Sequence, residues 1–361
     1  MRTHRPTSLP VLVLALVAGC AAVTVRPPGP ATVVEAQSAD APVALPNREG
    51  SLKFLVIGDF GNGSREQLQL AELMEKHRQK FPFEAAITVG DNIYGSNNPQ
   101  SLKQRFEIPY KPLLDAGVKF YASLGNHDDR ELQRFYSLFN MGGEFYYTWK
   151  APHQDVRFFA LESSYPTVQQ IGWIERELQR SNEKWKIPYF HHPLYSSGER
   201  HGSRNDLQTI LEPIFVKNSV SVVFTGHDHI YERTKPQNGI VHFVVGSSGQ
   251  LRRGNLDQRS AITAKGYDGD RAFLLAEISG DELFFNAIAR TGQVVDSGVI
   301  VRRQSSEAPP PAPSPFPWAP ASLSLPWAPA SLSLPWAPAS VSRAPNPFRT
   351  PPASSSRSAN R

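Results

Sequence analysis

Cysteine is almost absent from this 361-residue chain, since Cys20 is the only one. A single thiol excludes any disulfide within the protein. A long apolar run is lacking as well, because the run near the start, residues 11–17, is too short to span a membrane as a helix. The central region also lacks a large net charge. The formal charge is +5, but the two ends of the chain supply most of it and residues 51–303 are close to neutral, so the charge gives no argument for nucleic-acid binding.

The first 20 residues have the layout of a secretory signal. Arg2 and Arg5 precede the apolar run, and small residues follow it up to Cys20. The sequence VAGC resembles the lipobox of bacterial lipoproteins, in which the cysteine becomes the lipidated first residue of the mature protein. The alternative is an ordinary signal peptide that is cut nearby. Both interpretations predict export, and the first predicts a lipoprotein anchored through Cys20 to a membrane, in the periplasm or at the cell surface.

Both flanks of the central region differ from it in composition. Residues 21–50 are rich in Ala, Pro and Val, which predicts a flexible tether. Residues 304–361 are rich in Pro, Ala and Ser, which predicts a disordered tail. This tail repeats PWAPASLSL from Pro317 and Pro326 and begins it again at Pro335. Two interpretations of its tryptophans remain open: they bind a surface or partner, or they are copies accumulated in a tolerated tail.

Residues 51–303 contain apolar runs that are separated by helical segments. The early runs are continuous, as in strands that are buried on both faces. The nine runs are KFLVI, AAITV, FYASL, RFFAL, IPYF, SVVF, VHFVV, FLLAEI and ELFFNAIA. Helical spacing predicts helices over residues 64–81 and 169–185, the first of them with a capping-box start at Ser64 and Gln67. Strands and helices alternate early and strands crowd together late, which predicts a layered α/β domain with mixed sheets.

Metal-binding side chains follow five of the predicted strands. The loops are GDFG (58–61), GDNIY (90–94), GNHD (125–128), HHPLYSSGERHG (191–202) and GHDH (226–229). Strands that share a sheet bring such loops to one edge. Asp, Asn, Tyr and His form a mixed oxygen and nitrogen set that suits transition metals and is too rich in nitrogen for calcium. His227 and His229 would point to the same side of an extended segment, and Asp91 is the natural carboxylate to bridge two ions.

In this order the five motifs resemble the signature of the metallophosphoesterases and, more narrowly, of the purple acid phosphatases, including the small single-domain kind. The resemblance covers residues 51–303 and implies a four-layer α/β/β/α sandwich with two mixed β-sheets. Many metallophosphoesterases have Asp-x-His in the first motif, whereas this chain has Asp59-Phe60-Gly61. In purple acid phosphatases a tyrosine three residues after the bridging aspartate takes the place of that histidine, and here this tyrosine is Tyr94.

The resemblance also implies two metal positions. Around a ferric ion it places Asp59, Asp91, Tyr94 and His229. Around a divalent ion, which could be iron, zinc or manganese, it places Asp91, Asn126, His191 and His227. His191 is preferred to His192 because HHPLYS matches the His-x-Pro pattern of the family, and because neighbouring side chains on a strand face opposite ways.

Two histidines are left for the substrate. His127 resembles the imidazole that contacts phosphate, with Asp128 as a candidate to orient it. His201 resembles the histidine that protonates the leaving alkoxide after in-line attack by a metal-bound hydroxide. The spacing from His191 to His201 differs by one residue from the small animal enzymes and agrees better with the plant ones. The alternative is that His201 is a solvated loop residue.

Three functions follow from these patterns. The first is an exported acid phosphatase that acts on phosphorylated small molecules, mainly phosphomonoesters. The second is a phosphodiesterase or nucleotidase with the same metal core, because specificity lies in the loops. The third is a non-catalytic surface-binding lipoprotein, which would have no need of the complete ligand set. The natural substrate, the divalent metal and the oligomeric state stay open at this stage.

Overall fold

The computed structural model describes the backbone of residues 32–35 and all of residues 42–304. The predicted signal sequence with Cys20 and the predicted tail from residue 305 onward lie outside the described residues. Among the described helices, none has the length and apolar character that a bilayer crossing requires.

Fourteen β-strands and six α-helices lie within the described residues. The strands are β1 (Thr32–Glu35), β2 (Leu52–Ile57), β3 (Ala85–Val89), β4 (Lys119–Ser123), β5 (Tyr147–Lys150), β6 (Val156–Ala160), β7 (Trp185–Tyr189), β8 (Val222–Thr225), β9 (Tyr231–Thr234), β10 (Val241–Val245), β11 (Thr263–Tyr267), β12 (Ala272–Ser279), β13 (Glu282–Ala289) and β14 (Val294–Val301). The helices are α1 (Arg65–Arg78), α2 (Pro99–Leu102), α3 (Lys111–Asp115), α4 (Arg130–Gln133), α5 (Val168–Arg180) and α6 (Asn205–Lys217). A π-helical turn (Lys103–Glu107) and a 3₁₀ turn (Ser137–Phe139) complete the list.

The strands form two mixed sheets of seven strands each. The first has the order β1-β14-β13-β12-β2-β3-β4, with β2, β3 and β4 parallel and the remaining neighbours antiparallel. The second has the order β11-β9-β10-β8-β7-β6-β5, in which β10, β8, β7 and β6 are parallel. This arrangement confirms the predicted α/β class with two mixed sheets.

Apolar side chains fill three layers of core, one between the sheets and one on the outer face of each. Phe54 of β2 meets Phe158 of β6 edge-on, with ring centroids 5.3 Å apart, in the core between the sheets. The next residue, Leu55, faces the opposite way and packs in the core that holds Met74 of α1. On the outer face of the second sheet, α5 and α6 cover a third core. Strands buried on both faces explain the continuous apolar runs, and the layers confirm the four-layer α/β/β/α sandwich.

The two long predicted helices begin where the sequence provides a cap. The hydroxyl of Ser64 accepts a hydrogen bond from the backbone N–H of Gln67 (3.2 Å) at the start of α1. The side chain of Gln67 accepts in turn from the N–H of Gly63, so the box closes one residue earlier than the usual pattern. Thr167 caps α5 in the same way through the N–H of Gln170 (3.1 Å).

Part of the segment predicted to be a flexible tether, residues 21–50, makes ordered contacts with the domain. Strand β1 pairs antiparallel with β14, which would otherwise be the edge of the first sheet. Further on, the backbone N–H groups of Asn47 and Arg48 each donate to the carboxylate of Glu277 at 2.6 Å. The ordered domain therefore starts before residue 51. Only long-range pairing reveals this, because the composition of the segment is that of a linker.

Parallel strands bring the five motif loops to one end of the sandwich. The loops after β2, β3 and β4 carry Asp59, Asp91 and Asn126, and these strands are adjacent in the first sheet. The loops after β7 and β8, which are adjacent in the second sheet, carry His191 and His227. The carboxyl ends of these strands meet at the same edge, which is the usual place for a site in such folds.

Candidate metal centre and active site

The first group of predicted ligands surrounds the phenol of Tyr94. Its oxygen lies 3.0 Å from a carboxylate oxygen of Asp59, 2.9 Å from one of Asp91 and 3.1 Å from Nε2 of His229. Asp59, Asp91 and His229 are close enough to one another to hold a single metal ion. Two carboxylates, one phenol and one imidazole form a donor set that suits a hard, highly charged cation.

The second group surrounds the imidazole of His191. Its Nδ1 lies 3.0 Å from the carbonyl oxygen of Val89, which can only accept a hydrogen bond, so in the neutral ring Nδ1 carries the proton. Nε2 is then a free lone pair, and it lies 3.1 Å from Oδ1 of Asn126, 3.1 Å from Nδ1 of His227 and 3.4 Å from Oδ1 of Asp91. Several lone pairs thus converge on one point, an arrangement that a cation would stabilise.

Asp91 connects the two groups. Its Oδ2 faces Tyr94, whereas its Oδ1 faces His191 and accepts a hydrogen bond from the backbone N–H of His127 at 2.9 Å. One carboxylate therefore has an oxygen in each group, which is the geometry that a bridging ligand requires. The residues fit a pair of metal ions with Asp91 between them.

Three of the candidate ligands have backbones in the left-handed region. The φ angles are 55° at Asp59, 50° at Asp91 and 71° at His227. Such conformations cost roughly 1–3 kcal/mol each for residues other than glycine and persist where the surroundings enforce them, often at functional sites. Close packing contributes here, since a Cβ on Gly125 would stand only 2.2 Å from Oδ1 of Asp91.

Burial makes the protonation of these groups unusual. It raises the pKa of Asp59 well above its ordinary value, against the attraction of His191. Burial and the neighbouring carboxylates of Asp59 and Asp91 raise the pKa of the Tyr94 phenol far above 10. Burial, followed by the charge of Arg252, lowers the pKa of His229 to about 4. The protein alone therefore disfavours charge on these side chains, and a bound cation is the natural partner for their ionised forms.

His127 and His201 lie at the solvent side of the two groups. Nε2 of His127 is 4.0 Å from Oδ2 of Asp91, and its ring centroid is 4.8 Å from that of Tyr94. The ring centroid of His201 is 4.2 Å from that of His227. Both side chains are exposed and next to candidate ligands, so either could reach a substrate at the centre.

Asp128 does not act as predicted. Its carboxylate accepts hydrogen bonds from three backbone N–H groups, those of Asn92, Ile93 and Gly125, and from the side-chain amides of Asn92 and Gln133. None of these partners belongs to His127. Asp128 therefore holds the GDNIY loop that presents Asp91 and Tyr94.

His192 is closer to the centre than predicted. Strand β7 ends at Tyr189, so His191 and His192 do not alternate across a strand. The ring of His192 lies 4.3 Å from that of His227. His191, His192 and His227 are also close enough to one another to hold a metal ion, which is an alternative use of His191 and His227. Nδ1 of His192 is 3.0 Å from the hydroxyl of Ser163. The argument from opposite faces is wrong; what distinguishes His191 is its contact with Asn126 and Asp91.

The sequence motifs did not reveal two residues that help to build the site, Asn92 and Arg252. The side-chain amide of Asn92 donates to the carbonyl oxygen of Ser123 (2.8 Å) and so fastens the loop after β3 to the end of β4. Arg252 donates from its backbone N–H to the carbonyl oxygen of His229 (3.0 Å). Asn92 was visible within GDNIY as a polar residue between Asp91 and the apolar Ile93, whereas nothing in the sequence connects Arg252 with the metal motifs.

Comparison with known proteins agrees with this geometry. Residues 52–231 match the family model described as calcineurin-like phosphoesterase. Purple acid phosphatase 4 of Arabidopsis thaliana is 26% identical over 277 residues, which cover 66% of this chain and 80% of that protein. The Fe(3+)-Zn(2+) purple acid phosphatase 12 of the same plant is 27% identical over 53% of this chain and 45% of its own length. The purple acid phosphatase PPD1 from yellow lupin seeds has a similar fold, with a TM-score of 0.59, 20% identity, and coverage of 72% of this chain and 55% of that one.

The two sheets and the paired donor groups at their carboxyl edge are those of a metallophosphoesterase, and the chain contains a calcineurin-like phosphoesterase domain over residues 52–231. Relatives within that hydrolytic family are named purple acid phosphatases, and the protein is a purple acid phosphatase-like metallophosphoesterase.

Proposed function

We propose that the protein is an exported acid phosphatase that hydrolyses phosphomonoesters at a centre of one ferric and one divalent ion. The placement of the Tyr94 phenol within 3.1 Å of Asp59, Asp91 and His229 is the observation that carries this proposal. A phenolate and two carboxylates favour Fe(III) over softer ions. The relative that is named for an Fe(3+)-Zn(2+) pair gives independent support.

The ligands would divide between the ions as the two groups do. Asp59, Tyr94 and His229 would hold the ferric ion, Asn126, His191 and His227 would hold iron, zinc or manganese, and Asp91 would contact both. When bound, the two ions would neutralise the oxygens of a phosphoryl group and lower the pKa of a bound water to roughly 7.

Two side chains would act on the substrate itself. His127, beside Asp91 and Tyr94, would donate a hydrogen bond to a phosphoryl oxygen. His201, beside His227, would donate a proton to the oxygen of the departing alcohol. Both roles require exposure to the solvent side of the centre, which these two residues have and the buried His191 lacks.

Turnover of two simple substrates separates the monoesterase from its alternative. The purified protein is given an aryl phosphate and a bis-aryl phosphate at equal concentration over a range of pH. Preference for the monoester is expected, with higher activity at acidic pH. A strong preference for the diester would instead support a phosphodiesterase of the same family.

Metal analysis tests the centre without any assay of activity. The wild-type protein should contain about two metal ions per chain, at least one of them iron. Asp91→Asn should lose metal from both positions, because Asp91 contacts both groups. Asp115→Asn is the control, since Asp115 is an exposed carboxylate that pairs with Lys111 at 2.8 Å, far from the two donor groups in the sequence. Iron-free protein that is fully active would overturn the proposed centre.

Export and anchoring belong to the proposal as well. They are supported by the sequence of residues 1–20 alone, in which VAGC places Cys20 where a lipoprotein signal is cut. A surface-binding protein without catalysis is the weaker alternative, because the nine candidate site residues are all present and converge on one centre.

A further inference from the structure

Arg252 is fixed to the loops that carry two candidate ligands. Its backbone N–H donates to the carbonyl oxygen of His229 at 3.0 Å. Two residues earlier, the N–H of Gln250 donates to the carbonyl oxygen of Asp59 at 2.8 Å. The segment around Arg252 therefore lies along the side of the centre formed by Asp59 and His229.

The same segment is joined to the loop that presents His201. The side chain of Asn255 accepts a hydrogen bond from the N–H of Arg200 (3.0 Å), and its carbonyl oxygen accepts one from the N–H of Glu199 (2.7 Å). Leu256 forms an isolated β-bridge with Gly198. Arg252 thus belongs to a segment that connects the Asp59 and His229 side of the centre with the candidate proton donor.

Part of the Arg252 guanidinium lacks a partner within the described part of the chain. Its Nη1 is buried and has no hydrogen-bond partner among the described residues. Other arginines of the domain are paired, for example Arg290 with Asp270 at 2.7 Å and Arg204 with Asp206 at 2.7 Å. Burying part of a cation without a partner is unfavourable, which indicates a site built for an anion that arrives from outside.

A second cation adjoins the same segment. The exposed Arg200 is joined to the segment of Arg252 through its backbone N–H, which donates to the side chain of Asn255 at 3.0 Å. Arg200 directly precedes His201 in the chain. Arg252 and Arg200 thus lie on two joined loops, one of which presents the candidate proton donor.

We infer that Arg252 is a specificity-determining residue that binds a second anionic group of the substrate, on the leaving-group side, and so favours pyrophosphate relative to a phosphomonoester that lacks this group. This inference rests on the proposed function, because it assumes that a phosphoryl group sits at the metal centre and that His201 faces the leaving group. A guanidinium can donate two parallel hydrogen bonds to a phosphate, which an ammonium group cannot match.

The chemistry favours such an arrangement. When pyrophosphate is hydrolysed, the oxygen of water forms a bond to one phosphorus and the bond from that phosphorus to the bridging oxygen breaks. The bridging oxygen leaves with the electron pair, and the proton released by the water is left on one of the two phosphate products. A guanidinium at the leaving phosphate would stabilise the negative charge as it develops there.

The test compares two substrates in three variants. Arg252→Gln should lower kcat/KM for pyrophosphate by about 10- to 100-fold, the range expected for a hydrogen bond to a charged group, and change kcat/KM for phenyl phosphate less than about 3-fold. Arg252→Lys, which keeps the charge but loses the two-pronged geometry, should fall between. Arg253→Gln is the matched control, because Arg253 is the exposed neighbour. Thermal unfolding shows whether each variant is folded.

A binding measurement removes the dependence on turnover. By calorimetry, the metal-loaded wild type should bind methylenediphosphonate more tightly than inorganic phosphate, and Arg252→Gln should weaken only the first. Equal losses for pyrophosphate and phenyl phosphate, or no loss for either, would overturn the inference. So would a wild type that binds the diphosphonate no more tightly than phosphate. A metal-loaded protein that hydrolyses no phosphoester would refute the proposed function instead, and the two binding constants would still decide the role of Arg252.

Discussion

The phenol oxygen of Tyr94 lies 2.9 Å from Oδ2 of Asp91, three residues earlier in the chain. The same phenol is within 3.0 Å of Asp59 and 3.1 Å of His229, although those residues are distant in sequence. A loop of five residues therefore supplies two of the four donors of the first group, and the loops after strands β2 and β8 supply the other two.

Replacing this phenol should remove colour without removing the fold. If Tyr94 binds iron as a phenolate, the metal-loaded wild type should absorb visible light and Tyr94→Phe should not. The far-UV circular dichroism should be the same for both proteins. Tyr136→Phe is the matched control, because Tyr136 is a partly buried phenol that donates to Glu107 at 2.7 Å. A visible band that survives in Tyr94→Phe would show that Tyr94 is not a ligand.

Two neighbouring aspartates should differ in their contribution to stability. Asp128 accepts five hydrogen bonds, three of which come from Asn92 and Ile93 in the loop that carries Asp91 and Tyr94. Asp128→Ala leaves several of these donors unpaired and should lower the free energy of unfolding by about 3 kcal/mol or more. Asp129 only caps α4, through the N–H groups of Glu131 and Leu132, so Asp129→Ala should cost about 1 kcal/mol.

Urea denaturation of the metal-free proteins measures both changes. Metal content should also fall in Asp128→Ala and stay at the wild-type level in Asp129→Ala, because only Asp128 positions the GDNIY loop. Equal stability of the two variants would mean that Asp128 does not organise this loop.

His242 predicts a loss of stability in acid. Burial lowers its pKa to about 3, and neither ring nitrogen has a hydrogen-bond partner among the described residues. In the unfolded chain the pKa is about 6.5. The unfolded state therefore binds a proton below pH 6.5 while the folded state does not, so this contribution to stability is complete above pH 6.5 and is lost as the pH falls towards 3.

His242→Phe should remove this dependence. Between pH 7 and pH 4 the metal-free wild type should lose about 3 kcal/mol more unfolding free energy than the variant. Chemical denaturation at several pH values gives the difference. His153→Asn is the control, because His153 is exposed and Asn tolerates its φ of 57°. Parallel curves for wild type and His242→Phe would show that His242 is not responsible.

The position of Cys20 predicts membrane anchoring. In cells, the wild type should sediment with membranes and incorporate labelled fatty acid, because acyl chains on one cysteine provide the anchor. Cys20→Ala should remain unlabelled, and any portion that is exported should be recovered in the soluble fraction. Labelling or membrane association that persists in Cys20→Ala would exclude lipidation at this residue.

Local patterns in the sequence were sufficient for much of the fold. The nine apolar runs all lie in strands or within a residue or two of them, and the helices begin at Ser64 and Thr167 because those residues cap them. Strands β1, β5, β9, β11 and β14 have no counterpart among the predicted runs. Several of them lie at or next to the edge of a sheet. A strand there need not be buried on both faces, so its sequence need not be a continuous apolar run.

The sequence by itself determined which side chains are available at the ends of the strands, and in what order. Side-chain chemistry and the period of the strand are local properties, so Asp59, Asp91, Tyr94 and the two histidines of GHDH could be read directly. The tertiary structure alone decided which of them touch: that Asp91 faces both groups, that Asp128 serves the loop, that His192 lies near His227, and that Arg252 stands beside His229. These contacts join segments that are far apart in the chain, and close packing of two sheets, which no local pattern encodes, brings them within hydrogen-bond distance.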